Sequence, residues 1–281
     1  MIMPELPEVE TVVRGLQQAL PGDSLKSVQV LRPDSIAFPD PDQFRRLLPG
    51  HGFLSVRRRG KYILIDLDED AALVCHLRMS GRLLIRARGA GANDARFLRV
   101  KMPLASGRQL HFEDMRVFGR LWYKPRGVSL EEVVPALSEL GLEPLTDLTA
   151  AKLKLLFAGK KQAVKTTLLD QTLIAGVGNI YADEALFLTG VHPQTSAGDL
   201  TARSLTRLVE SIQLVLSRGI ESGGSTLRDY VNAEGVNGNY QNQAWVYGRE
   251  DEPCLKCGRE IVRVKVSGRS SHFCPGCQKR R

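Results

Sequence analysis

Four cysteines near the carboxyl end, Cys254, Cys257, Cys274 and Cys277, form two Cys-x2-Cys pairs separated by sixteen residues. Thiolates at that spacing fold two turns onto one tetrahedral Zn2+. Two disulfides would use the same sulfurs. No charged and apolar leader opens the sequence, however, so a reducing cytoplasm and a zinc ion are expected. Four thiolates leave no open coordination position, which gives such an ion a scaffold role. The last 28 residues also carry eight Lys or Arg against one acid, Glu260, and so hold +7 of the formal net charge of +8. A metal-stapled cationic element points to a phosphate backbone. The remaining 253 residues carry only +1, so any attraction there must come from local patches. The fifth cysteine, Cys75, lies in the apolar run Ala-Leu-Val-Cys-His-Leu and reads as a buried strand thiol.

The elements that must position such chemistry follow from periodicity. Across 281 residues, 43% of them apolar, two medium domains can each bury a core. Val9, Val12, Val13, Leu16 and Leu20 recur at helical spacing after Pro7-Glu8, which predicts an amphipathic helix over Pro7 to Leu20. From there to about residue 125 the signals are short and strand-like: Ser27 to Leu31, Tyr62 to Leu67, Ala72 to Leu77, Leu83 to Ala87, Phe97 to Met102, Gln109 to Phe112 and Gly119 to Tyr123. They predict an antiparallel β-sandwich over residues 1–135. A Pro- and Gly-punctuated connection follows over 136–150. A helical domain then spans 151–245, with Leu205, Leu208, Val209, Ile212, Val215, Leu216 and Ile220 on one face, and the zinc element occupies 246–281. Between them the Gly- and Asn-rich stretch 223–243 reads as a lid loop. Tyr230, Tyr240, Trp245 and Tyr247 could stack there, or Trp245 and Tyr247 could be plain packing residues of the hairpin. No apolar run approaches a membrane span, so a soluble protein is expected.

The opening Pro4-Glu5-Leu6-Pro7-Glu8-Val9-Glu10 resembles that of the bacterial formamidopyrimidine-DNA glycosylases (MutM/Fpg), which repair oxidised bases. Arg59-Gly60-Lys61-Tyr62, His76-Leu77-Arg78-Met79-Ser80-Gly81, Asp114-x-Arg116-x-Phe118-Gly119, Gly176-Val177-Gly178-Asn179-Ile180-Tyr181 and the cysteine pairs follow in the family's order. The resemblance covers essentially the whole chain. It implies an α+β fold: a β-sandwich with a leading helix, then a helix-two-turn-helix domain with a C-terminal zinc β-hairpin. It also implies one structural Zn2+, a monomer, and double-stranded DNA containing oxidised bases as partner. Endonuclease VIII enzymes resemble this opening but usually have Gly where Leu6 stands, so Leu6 favours oxidised purines.

A proline with a free amino terminus is a secondary amine whose pKa near ~8 leaves a neutral, nucleophilic fraction at cellular pH. By resemblance Pro4 attacks the sugar C1′, Glu5 shuttles protons as acid and base, and Lys61 reaches the target nucleotide. An enzyme that acts on a base within a duplex must extrude it and fill the gap. The resemblance gives that task to Met79, Arg116 and Phe118. Asn179, at a helix start behind two glycines, and the nearby Lys161 and Lys165 are implied phosphate contacts. Arg269 matches the arginine that grips phosphate beside the lesion and aids the second elimination.

Two departures accompany the match. Met1-Ile2 precede Met3-Pro4, and an acylated Pro4 has no nucleophilic lone pair, so initiation at Met3 with its removal, or trimming, is expected. Asn93 stands where family members commonly carry a DNA-contacting histidine. The expected function is a bifunctional glycosylase and abasic-site lyase that excises 8-oxoguanine and formamidopyrimidines. The alternatives are an oxidised-pyrimidine glycosylase and a non-catalytic damaged-DNA-binding zinc protein.

Overall fold

A computed structural model describes residues 3–89, 95–225 and 238–280. The chain divides into two compact units, Met1–Ser138 with Gly223–Gly238 and Glu139–Ser222 with Asn239–Arg281. The connection expected over 136–150 is thus mostly folded into the second unit. There the Gly141 N–H donates to the Gln171 carbonyl, the Leu142 N–H donates to that of Leu173, and Leu148 is buried.

In the first unit, helix α1 (Leu6–Ala19) buries Val9, Val12, Val13 and Leu16. Its start is fixed by Pro7 in the first turn and by Glu8, whose carboxylate accepts the Glu5 N–H at 2.9 Å. The elements that follow are β1 (Gln29–Val30), β2 (Ile36–Phe38), α2 (Pro41–Leu47), β3 (Phe53–Arg59), β4 (Tyr62–Leu67), β5 (Ala72–His76), β6 (Gly81–Arg86), β7 (Leu98–Pro103), β8 (Gln109–Asp114), β9 (Arg120–Lys124) and α3 (Leu130–Val133). They build two sheets, ordered β1-β7-β8-β6 and β2-β9-β5-β4-β3. All pairings are antiparallel except β2 with β9. One core joins α1 to both sheets, through residues such as Leu16, Ile63, Leu73, Leu83, Val100 and Phe112. Strands β4 and β5 read as continuous apolar runs because they lie inside their sheet, buried almost throughout.

Four elements of this unit were not legible in the sequence: β2, α2, β3 and α3. In β3 the buried Phe53 and Val56 are three apart, the pairing with β4 shifts between Phe53 and Ser55, and the strand ends in Arg57-Arg58-Arg59. Neither strand nor helix periodicity survives that combination. The strand matters to the site, because α1 lies along it. Gln17 Nε2 donates to the Val56 carbonyl at 2.8 Å, while Arg58 Nε meets Glu10 Oε2 at 2.9 Å and Arg58 Nη1 meets the Gly60 carbonyl at 3.1 Å. The helix therefore runs against β3 and directs its amino end toward the β3–β4 turn.

The second unit contains α4 (Ala150–Phe157), α5 (Val164–Leu168), α6 (Asn179–Thr189), α7 (Ala202–Glu221) and the antiparallel hairpin β10 (Val262–Val266) and β11 (Arg269–Phe273). Helix α7 is amphipathic, burying Leu205, Leu208, Ile212, Val215 and Leu216. Helix α6 is buried on nearly every side, acids included, and ends at the left-handed Gly190. Among the described residues no helix is long and apolar enough to cross a membrane.

Candidate active site and zinc centre

At the head of α1 both Pro4 and Glu5 are buried, Glu5 to 1% exposure. Glu8 fixes this corner from two directions. Its Oε2 accepts the Glu5 N–H, and its Oε1 accepts the Ser225 N–H at 2.8 Å and hydroxyl at 3.0 Å. Lys61 stands in the β3–β4 turn behind Gly60, whose φ of 55° favours glycine. His76, at the end of β5, pairs with Tyr62 across the sheet and meets its ring edge-on at 4.6 Å. Burial, then the charges of Arg78 and Lys61, push the His76 pKa down to about 3. The ring is therefore neutral, and its Nδ1 accepts the Arg78 N–H at 3.0 Å.

Met79 and the pair Arg116 and Phe118 come from two loops, β5–β6 and β8–β9, and the fold brings them together. Arg116 Nη1 lies 3.4 Å from the Met79 sulfur, and its guanidinium carbon lies 5.2 Å from the centre of the Phe118 ring. Phe118 is 48% exposed, which is unusual for a large apolar side chain and is not the buried fate its type suggests. The planar cation stacked on a ring and the adjacent thioether form a mixed polar and apolar tip.

In the second unit, Asn179 begins α6 directly after Gly178. The turn before it is pinned by Gln171, which accepts the Gly176 N–H at 2.9 Å and donates to the carbonyls of Leu169 and Val177. The Asn179 side-chain oxygen is buried and has no hydrogen-bond partner among the described residues. Lys161 is exposed.

Lys165 departs from the expected phosphate contact. Its side chain is 0% exposed, and its ammonium meets Asp183 Oδ1 at 2.6 Å and the Ser270 carbonyl at 2.6 Å. An ammonium without solvent access, spent on a buried carboxylate, cannot contact a phosphate outside. It fastens the residue next to Arg269 instead. Thr166 adds a second tie to this hairpin turn, 2.9 Å from the Ser267 hydroxyl, and Arg269 itself is exposed at the start of β11.

The four cysteine sulfurs lie within 4.8 Å of one another, with Cys257 and Cys274 3.4 Å apart and Cys254 and Cys277 4.0 Å apart. A tetrahedral zinc ion with ~2.3 Å bonds needs sulfurs roughly 3.8 Å apart. The thiols also show why a cation is needed. The Arg259 N–H, then the Cys274 thiol, hold Cys257 down at about 7, whereas burial and then the neighbouring thiols push Cys277 up to about 12. Four such groups cannot all ionise together without a compensating charge. The set suits one structural zinc ion. Cys75 is fully buried on β5, where burial and then the Asp114 charge raise its pKa, so it is an inert core thiol.

Two consecutive acids of α6 dock the zinc element. Asp183 accepts the His272 N–H at 2.9 Å, and Glu184 accepts three N–H groups, those of Trp245, Val246 and Tyr247, at 2.8 to 2.9 Å. Desolvation still raises the Glu184 pKa, because those bonds only partly replace water around a buried carboxylate. Trp245 lies against the Arg218 guanidinium at 5.0 Å, and Tyr247 meets the His272 ring edge-on at 4.8 Å. Both aromatics are thus packing residues, and Tyr240 is buried against Tyr181. Asn93, Tyr230 and most of the stretch read as a lid fall outside the described residues. Sequence reasoning passed over Gln171, Asp183 and Glu184, since an acid or amide gives no local sign of the backbone groups that it will satisfy.

Comparison with known proteins agrees with this arrangement. Residues 3–121 match the formamidopyrimidine-DNA glycosylase N-terminal domain, 140–231 its H2TH domain, and 251–280 the zinc finger found in FPG and IleRS. The formamidopyrimidine-DNA glycosylase of Gloeobacter violaceus is 51% identical over 280 residues, covering 99% of this chain and 98% of that one. Two solved Lactococcus lactis Fpg structures each share 35% identity and cover 99% of this chain and 100% of theirs. One is a mutant in complex with Fapy-dG-containing DNA (TM-score 0.89), and the other is the wild-type protein with DNA containing an oxidised pyrimidine (TM-score 0.88). With all three domains matched in order and identity above one half along the chain, the protein is a member of the formamidopyrimidine-DNA glycosylase family.

Proposed function

We propose that the protein is a bifunctional DNA glycosylase and abasic-site lyase that excises oxidised purines, 8-oxoguanine and formamidopyrimidines, from double-stranded DNA. The observation that carries the reading is the corner at the head of α1, where Pro4 is followed by a fully buried carboxylate and clamped through Glu8. With a free amine, Pro4 nitrogen forms a bond to C1′. The C1′–base bond breaks, its electron pair leaves with the base, and the proton that the Pro4 nitrogen sheds on becoming a tertiary amine passes to that base. Glu5 delivers a proton to the ring oxygen as the sugar opens, leaving an iminium at C1′. That electron sink acidifies C2′–H. Loss of the proton expels the 3′ phosphate, and a second elimination expels the 5′ phosphate. Lys61 assists the proton transfers, and Arg269 holds the phosphate beside the lesion. Met79, Arg116 and Phe118 occupy the gap left by the extruded nucleotide, with Arg116 hydrogen-bonding the widowed base. Asn179 and Lys161 contact phosphates. The zinc ion, when bound, supplies a fold for the hairpin and takes no part in the chemistry.

Leu6 favours purine lesions, while the Lactococcus neighbour bound to an oxidised pyrimidine keeps the second reading open. A panel of duplexes carrying 8-oxoguanine, formamidopyrimidine guanine, thymine glycol or 5-hydroxycytosine decides between them. Fastest release of the two purine lesions, with phosphate left on both sides of the gap, is expected. Faster release of the pyrimidines would transfer the assignment.

A further inference from the structure

We propose that Asp114 is a positioning residue for base extrusion, whose buried carboxylate locks together the two loops that carry Met79, Arg116 and Phe118. This rests on the reading that those three side chains fill the vacated space in the duplex. Asp114 ends β8 and is completely buried. Its Oδ1 accepts the Ser80 hydroxyl, from the first loop, and the Arg116 N–H at 3.1 Å, from the second. Its Oδ2 accepts the Gly119 N–H at 2.7 Å, beyond Phe118. The Ser80 hydroxyl oxygen in turn lies 3.0 Å from the Arg116 nitrogen and shares that N–H. One carboxylate therefore brackets the entire 115–118 segment and ties it to the residue after Met79.

The backbone between the brackets supplies an independent observation. Val117 has φ of 57°, a left-handed conformation that a β-branched residue adopts only under constraint. The constraint is visible, since the N–H groups on either side of Val117, those of Arg116 and Gly119, are drawn to the two oxygens of one carboxylate. Gly119 has no room for a side chain: a Cβ there would lie 2.7 Å from Phe112 Cζ and 3.1 Å from Asp114 Oδ2. The other loop repeats the device, with Arg78 at φ of 55° and its N–H held by the neutral His76. Both loops are thus strained and fastened to buried acceptors, while Arg116 and Phe118 remain accessible at the tip. A rigid tip loses little conformational freedom when it enters a base stack, which favours extrusion without any contact between Asp114 and DNA.

Asp114→Asn keeps the shape but places an amide donor against one set of N–H or O–H donors. Two single-turnover rates separate positioning from folding: excision of 8-oxoguanine from a duplex, and cleavage of a single-stranded oligonucleotide bearing an abasic site, which has no base to extrude. The wild-type protein must perform both, and its failure would sink the catalytic reading rather than this one. For Asp114→Asn the duplex rate is expected to fall about 10- to 100-fold, with the single-strand rate kept within about threefold. Ser80→Ala, which removes one of the bonds, should shift the same ratio to a smaller degree. Val117→Gly added to Asp114→Asn should recover several-fold of the duplex rate, because glycine holds the left-handed turn without the clamp. Equal losses in both reactions, no loss in either, or no recovery in the double variant would overturn the proposal.

Discussion

His76 shows how a residue that touches no substrate in the proposed mechanism still conditions the site. It is buried, faces the charges of Arg78 and Lys61, and is kept neutral with a pKa of about 3. The group is protonated more readily in the unfolded chain, near pH 6.5, so the stability derived from burying it neutral is complete above that pH. It is lost progressively as pH falls from about 6.5 toward 3. Hydrogen exchange of the β4–β5 peptides should therefore report a loss of roughly 2 kcal/mol between pH 7.5 and 5 that is absent from His76→Asn, which cannot titrate there. An identical pH response in both proteins would remove His76 from this role. At this scale residue type and neighbours gave a readable signal at Arg116-x-Phe118, which the fold brings beside Met79. They misled at Lys165, since a lysine is read as exposed unless its partner is known, and Asp183 lies eighteen positions along the chain.

The zinc hairpin depends on two separable supports, its four sulfurs and the paired acids of α6. Cys257→Ser should lose zinc and DNA affinity together. Glu184→Ala should retain the metal, because no ligand is touched, yet leave three N–H groups without their acceptor and weaken DNA binding through a loosened hairpin. Metal content by mass spectrometry, read beside binding titrations, checks the pair. Unimpaired binding by metal-free Cys257→Ser would count against the scaffold role. The Cys-x2-Cys spacing made the first support readable. The second was hidden because α6 is buried all round and has no amphipathic stripe, and β3 was hidden by its irregular pairing and arginine run. Strands β4 to β9 were readable to within about two residues because short runs of branched and aromatic residues between turn signals carry their own evidence.

For the molecule as a whole, the charge is divided unevenly along the chain: the last 28 residues hold +7 and the preceding 253 hold +1, so the tail provides much of the nonspecific attraction to DNA. That division was plain from composition, and the family was plain from its motifs. What neither could give is the state of the amine, which decides whether the protein is an enzyme or only a binder. The most direct test is borohydride trapping on a duplex with one 8-oxoguanine opposite cytosine, comparing protein that begins at Pro4 with protein retaining Met1 to Met3 and with Pro4→Gly. A covalent adduct formed by the Pro4-initiated protein, absent when the three residues remain and strongly reduced in Pro4→Gly, is the predicted result. Tight binding without any adduct, from protein verified to begin at Pro4, would contradict the account.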